Sequence, residues 1–464
     1  MQPTKTLKPF QADDVRQFLT AGNCVCGHEP GVGKTAIGIG LIAGRTLIVV
    51  PKSVLYQYAD EIQAFRPDIS PIVVTGTPKG RKRLYMANLS SSAVILCTYE
   101  SLRIDIGIIS GLPAFDTLLF DEVHRLASTK TKTHKNIRLL LKSYRADGKV
   151  PPRIYGFTAS LIMNSPMDIF GVYNILRPGL FPNYLHFTLE YMNRHPTFGY
   201  MIGAKQSKLA KLGEIISPVF FRRTLAEVAP QLPPHVDEIV KFDLSAKERK
   251  LYSDIRAELL LQILPKDIDL IKNPVGLQNA LVKMCKLQEL TDSADLIGHS
   301  EIPSTKFAIL KEKLEELLTG NDRKCVVFSR FSRTINLLET FLAEYNPTKI
   351  IGDVTGEDRQ ANITKFKTDK TCRVLLCTVA GSEGISLEEA QYLIRLNSPF
   401  SVGRDLQLTG RIRRITSLEP TFSFTLVARK SIDERMIKIL ENKRVINETI
   451  FSWNDVKEML DIPF

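Results

Sequence analysis

The sequence predicts an α/β chain made of two parallel-sheet halves in tandem, with short helical insertions between them. Three observations predict it. Residues 1–160 alternate short β-branched runs with helical stretches, the same alternation starts afresh after residue 320, and the stretch between is helical in period and broken by prolines. Strands that alternate with helices give a parallel sheet covered on both faces, because each crossover helix must pack on the sheet it spans.

In the first half, Thr46–Pro51, Ala93–Thr98, Thr117–Phe120 and Arg153–Thr158 are apolar runs of strand length, preceded by the shorter Asn23–Cys26. In the second half, Lys324–Ser329, Arg373–Thr378, Tyr392–Asn397 and Thr421–Ala428 read the same way, with helices such as Ser332–Tyr345 between them. Prolines 178, 182, 196, 218, 230, 233 and 234 punctuate the middle. Gln231–Pro234 reads as the link between halves, since consecutive prolines favour an extended chain. Ser431–Phe451 is a charged amphipathic helix that closes the chain. The expected division is a first lobe at 1–230 with a helical protrusion at about 165–225, a linker and helical insertion at 231–310, and a second lobe at 311–464.

The 464 residues suffice for two or three domains, each with its own core. No apolar run is long enough to span a membrane, and Met1–Lys5 lacks the basic-then-apolar pattern of a secretory leader. Seven scattered cysteines, several inside apolar strands, argue for a reducing compartment: the cytoplasm of a bacterium or viral host, or the nucleus in a eukaryote. Cys24-Val25-Cys26-Gly27-His28 has no second ligand pair at zinc-finger spacing and runs straight into a phosphate loop, which argues against the zinc reading. The net charge of +12 suits phosphate-backbone binding, and equally a merely basic soluble protein. Lys79-Gly80-Arg81-Lys82-Arg83 reads as a solvated basic turn, a phosphate-contacting loop or a nuclear address.

His28-Glu29-Pro30-Gly31-Val32-Gly33-Lys34-Thr35 stands between a strand and a helix, the setting of a phosphate loop. Glycines let backbone N–H groups turn toward phosphate oxygens, and the helix N-terminus adds partial positive charge. Residues Glu29 to Thr35 would therefore cradle ATP, with Lys34 on the β- and γ-phosphates and Thr35 on magnesium. His28 stands where the strict Gly-x4-Gly-Lys pattern has glycine, which leaves the looser Gly-x-Gly-Lys-Thr form of helicase-type loops. Asp121 and Glu122 follow the strand Thr117–Phe120, at the edge where an α/β sheet presents catalytic groups. Asp121 would hold magnesium through water and Glu122 would polarise the attacking water. Alone, the pair reads as well as a solvated acidic turn. In the second half, Arg411 and Arg414 of Gln407–Arg414 are three apart and would share a helix face, stabilising a transferring phosphoryl group; the alternative is a basic helix touching nucleic acid, a reading that suits Arg413.

Together these motifs resemble the Swi/Snf-type ATPases of helicase superfamily two, in order and over nearly the whole chain. Leu7–Gln11 is similar to the family's adenine-recognising segment, with Gln11 as base reader. Pro51–Ser53 and Cys97–Glu100 resemble its first-lobe strand-tracking motifs, and Gly156–Ser160, Asn164 and Asp168–Phe170 its coupling motif and sequel. Phe221–Thr224 and Leu232–Pro234 resemble signatures that set this family apart from other helicases of the superfamily. Val326–Phe331, Ile351–Gly356, Thr378–Leu387, Gln407–Arg414 and Ser431–Arg435 resemble the second-lobe set.

The resemblance implies two RecA-like lobes with the nucleotide between them, ATP and magnesium as cofactors, and Gly384 and Gln407 as further nucleotide contacts. It implies Lys52, Thr98, Arg330 and Thr378 as nucleic-acid contacts. Pro30, Ser386 and Ser398-Pro399 depart from the family's usual residues. No bromodomain-like, chromodomain-like or finger module is present, so a compact bacterial or viral (phage-like) DNA-processing motor is expected rather than a nucleosome remodeller. The expected function is an ATP-dependent helicase or translocase on duplex, forked or branched DNA. An RNA helicase, an ATPase that displaces proteins from DNA, and a non-hydrolysing clamp are the alternatives.

Overall fold

The computed structural model describes all residues except 1–2, 90–92, 147, 149, 160, 162–165, 195–200, 264–283, 353–355, 379–380, 382–384, 399–401 and 447–464. The chain divides into two compact units, residues 1–193 with 203–230, and residues 194–202 with 231–464.

The first unit is built on a seven-stranded sheet, ordered β3-β4-β2-β5-β6-β1-β9, in which every neighbouring pair is parallel. The strands are β1 (Cys24–Cys26), β2 (Thr46–Val50), β3 (Ile72–Val73), β4 (Val94–Thr98), β5 (Thr117–Asp121), β6 (Arg153–Phe157) and β9 (Phe220–Phe221). Strands β2 and β4 are buried at every residue, which is why they read as unbroken apolar runs rather than alternating ones. Helix α1 (Pro9–Ala21) precedes β1, and α2 (Lys34–Gly40) follows it. A two-stranded sheet pairs β7 (Met192–Arg194) with β8 (Met201–Ala204).

The second unit carries a six-stranded, wholly parallel sheet ordered β10-β15-β14-β11-β13-β12. Its strands are β10 (His235–Phe242), β11 (Lys324–Phe328), β12 (Thr348–Ile350), β13 (Val374–Cys377), β14 (Ala390–Arg395) and β15 (Thr421–Ala428). Successive residues of one strand enter opposite cores: Cys325, Val327, Val374 and Leu376 join one cluster, while Val326, Phe328, Leu375 and Cys377 join the other. Residues 231–310, expected as linker and insertion, supply β10 to this sheet. The closing helix spans Ile432–Ile446 within the described residues. Among the described residues no helix is long and apolar enough to cross a membrane, and all seven cysteines are free thiols.

Candidate nucleotide-binding site

Three strand ends set the site in the first unit. In the parallel register Cys26 lies beside Phe157, and Phe157 beside Asp121. With neighbouring strands about 4.8 Å apart, the start of the phosphate loop and Asp121 stand roughly 10 Å from each other across β6. Both lie at the carboxyl edge of the sheet, where the backbone of a parallel sheet opens toward ligands.

The loop needs its glycines. Gly31 and Gly33 have φ of 85° and 93°, and Gly33 caps α2 in the left-handed region. A Cβ on Gly33 would lie 2.5 Å from Gln11 Nε2. Gln11 is itself buried: its Nε2 donates to the Val32 carbonyl at 3.3 Å and its Oε1 accepts from the Lys8 amide at 2.9 Å. Lys34 Nζ reaches across the loop to the carbonyls of His28 (2.8 Å) and Glu29 (3.1 Å). Thr35, half-buried, is the second residue of α2.

Asp121 ends β5, and its carbonyl accepts from the Tyr99 hydroxyl at 2.6 Å. Burial, reinforced by the Asp121 charge, pushes the Tyr99 phenol well above its ordinary range, so Tyr99 is a fixed O–H donor at neutral pH. Glu122 takes φ 50° and ψ 52°, an uncommon conformation for a residue with a side chain, and opens the short 3-10 turn Val123–Leu126. His124 Nδ1 sits 3.3 Å from Glu122 Oε2 and 3.1 Å from the hydroxyl of buried Thr158. The second residue after the acidic pair thus touches the segment that follows β6.

In the second unit, the helix Val402–Ile412 carries Gln407 and Arg411, both half-buried and one turn apart. Arg414 lies beyond its end. The expected shared helix face of Arg411 and Arg414 therefore does not form, because the helix ends at Ile412, Ser417 Oγ accepts the Arg414 amide at 2.9 Å and the chain turns away. Arg414 Nη2 donates to the Ile385 carbonyl at 3.0 Å, and its Nε is 4.0 Å from Glu388. Buried Arg395 on β14 pairs with Asp405 at 3.0 Å and Asp237 at 3.2 Å, which pins the arginine-bearing helix to the sheet.

Two family models match the chain, the first of them running past the boundary between the units at residue 231. Residues 16–295 match the SNF2-related domain and residues 305–416 the helicase conserved C-terminal domain. The chain belongs to the SNF2-related family. Chromodomain-helicase-DNA-binding protein 1-like of Danio rerio is 26% identical over 475 residues, covering 96% of this chain and 44% of that protein. The Mus musculus protein of that description is 26% identical over 445 residues, covering 90% and 47%. This SNF2-related chain thus spans less than half the length of these relatives. The Pyrococcus furiosus Hef helicase domain has a similar fold, with a TM-score of 0.54 at 18% identity over 94% of this chain and 98% of that one.

The remaining expected contacts of this SNF2-related chain fall as follows. Lys52 is exposed, just past β2. Thr98 is buried, and its hydroxyl accepts from the Ser101 amide at 3.0 Å, capping the helix Tyr99–Ser110. Arg330 donates to Gln288 and lies 5.5 Å over the Phe331 ring, while its amide donates to Asn397 at 2.9 Å. Thr378 is buried, its Oγ1 accepting from the Gly381 amide at 3.4 Å. Gly384, Asn164, Asp353–Thr355 and Pro399 lie outside the described residues. The basic run 79–83 is helical, and its central Arg81 is buried in a two-point pair with Asp105 at 2.6 and 2.8 Å, so it is no solvated turn at that position.

Tyr99 and Thr158 fall within motifs the sequence shows, but their contacts to Asp121 and His124 are not legible in it, nor are the buried partners of the second unit's strand ends. There Lys306 Nζ donates to Asp292 (3.0 Å) and Asp433 (2.8 Å), and Asp292 also accepts from Asn397 at 2.7 Å. The helix Thr305–Leu318 carries three lysines and three glutamates, so nothing in the sequence marks Lys306 as the buried one.

Proposed function

We propose that this SNF2-related chain is an ATP-dependent DNA translocase or remodelling motor. The observation that carries the reading is the level setting of the phosphate loop and Asp121-Glu122 across β1, β6 and β5, joined through His124 to Thr158. Lys34 exchanges its loop carbonyls for the β- and γ-phosphates, and Gln11 reads the adenine edge. Glu122 orients the attacking water and accepts its proton, and Arg411 and Arg414 supply guanidinium charge to the transferring phosphoryl group. Asp121 and the Thr35 hydroxyl are hard oxygen donors, suited to magnesium. Magnesium held there would neutralise charge on the phosphate oxygens.

DNA is the proposed track, supported by the net charge of +12. Contacts from Lys52 and Arg330 are proposed on the backbone side of that track. Free thiols throughout the described residues support an intracellular setting.

The test is phosphate release with single-stranded, duplex, forked and four-way DNA and with RNA, with and without EDTA. Duplex or branched DNA is expected to stimulate most, and EDTA to stop turnover. Stimulation by RNA alone establishes the RNA-helicase alternative. Lys34→Ala should lower turnover about a hundredfold or more while duplex binding, read by anisotropy, persists. Normal turnover in that variant removes Lys34 from the chemistry.

A further inference from the structure

One edge of the phosphate loop is bound to the last stretch of the first unit. The parallel ladder between β1 and β9 continues beyond the strands. The Gly27 amide donates to the Phe221 carbonyl at 2.7 Å, and the Glu29 amide to the Arg223 carbonyl at 2.9 Å. Two side chains add to it: the Arg223 amide donates to His28 Nδ1 at 3.1 Å, and the Leu225 amide to Glu29 Oε2 at 2.9 Å. An N–H aimed at Nδ1 needs a lone pair there, which assigns the ring proton to Nε2. Nε2 faces Asp14 Oδ2 at 2.9 Å, and Asp14 Oδ1 accepts from Arg223 Nε at 2.8 Å. His28 and Asp14 are both buried, which shields their contact from screening by water, while Arg223 closes the triangle from a half-buried position. Gly27 permits the close approach, since a Cβ there would lie 2.3 Å from the Phe220 ring.

The same two loop residues face Lys34. Their carbonyls accept its ammonium, while the His28 ring, the Glu29 carboxylate and the Glu29 amide hold residues 223–225. A phosphate that draws Lys34 away releases two carbonyls on the residues that hold this strap. Residues 221–225 run on to Pro230, after which the chain enters the second unit at Gln231. We propose that Asp14, His28 and Arg223 form a positioning strap that passes the nucleotide state of the phosphate loop to the chain leaving the first unit. This couples hydrolysis to movement rather than carrying out the chemistry. The proposal rests on the translocase reading above.

The experiment measures, on one duplex carrying a third strand, both ATP hydrolysed and third strand displaced. Wild type is compared with Asp14→Asn, Arg223→Ala and Arg223→Lys. Asp14→Asn and Arg223→Ala should keep turnover close to wild type, while strand displaced per ATP falls about fivefold or more, the size of a site-to-site coupling. Arg223→Lys, which keeps a cation facing Asp14, should recover most of that yield. If Arg223→Ala fails to fold, Asp14→Asn and Arg223→Lys decide the matter by the same yield. An unchanged yield, or turnover and displacement falling in proportion, overturns the strap. A wild-type protein that hydrolyses ATP on DNA yet displaces no strand overturns the translocase reading instead.

Discussion

At Glu122 the backbone is held in a left-handed conformation that ordinary side chains seldom adopt. A strained residue at a strand end is the kind of position where a catalytic group is aimed. Glu122→Gln keeps the size of the side chain and removes its basicity. It should bind a fluorescent ATP analogue as tightly as wild type and turn ATP over about a hundred- to ten-thousandfold more slowly, the usual worth of a general base. Equal turnover would assign the proton to another group. A different residue governs stability. Lys306 is wholly buried between Asp292 and Asp433. Lys306→Met strands two carboxylates and should cost about 3–5 kcal/mol, read as a lowered denaturation midpoint. A midpoint within error of wild type would show that the aspartates find protons or partners without it. At this scale the sequence announces the phosphate loop and the acidic pair, whose residues are contiguous. Asp14, His28 and Arg223 stay hidden in it because their meeting depends on how α1, β1 and β9 lie side by side.

Elements that are buried on both faces are legible because burial demands an unbroken apolar run. Strands β2, β4, β5, β11 and β15 fall within a residue or two of the runs that mark them. Strand β10 is hidden for the opposite reason: in His235–Phe242 only the last residue is buried, so nothing in its polarity sets it apart from a loop. Strands β3 and β9, two residues each, are too short to carry a period. The helix Met167–Leu176 shows how tightly one element depends on another. A Cβ on its Gly171 would lie 1.6 Å from the Ala127 carbonyl oxygen, just after the turn that follows Glu122. Gly171→Ala should therefore lose about 1–3 kcal/mol of stability through overpacking. It should also lower the rate of ATP turnover in the fraction that folds. Wild-type melting and turnover would mean that this helix shifts freely against the turn.

Across the whole molecule, the charge of +12 predicts how DNA binding responds to salt. Each phosphate neutralised releases a counterion, so the DNA concentration for half-maximal ATPase stimulation should rise steeply with salt. A log–log slope of several units is expected, roughly 0.9 per phosphate contacted. A flat dependence would place the affinity in uncharged contacts. The alternation of strands and helices announces two parallel-sheet halves, and this is where the sequence is most informative. It says less about which segment belongs to which half, because β10 comes from the middle of the chain and joins the second sheet at its edge.

That edge has a consequence for the order in which the molecule is made. Among the described residues strand β10 pairs with β15 alone, register for register from His235–Thr421 to Phe242–Ala428. On the ribosome the earlier strand is synthesised long before its partner, and for that interval its backbone donors and acceptors have no ladder to join. Non-local parallel pairings are slow to form, and unpaired strand edges are where nascent chains associate wrongly. Asp237, Glu238 and Lys241 along β10 are charges of the kind that disfavours wrong pairing of an exposed strand, which is what a strand waiting for its partner needs.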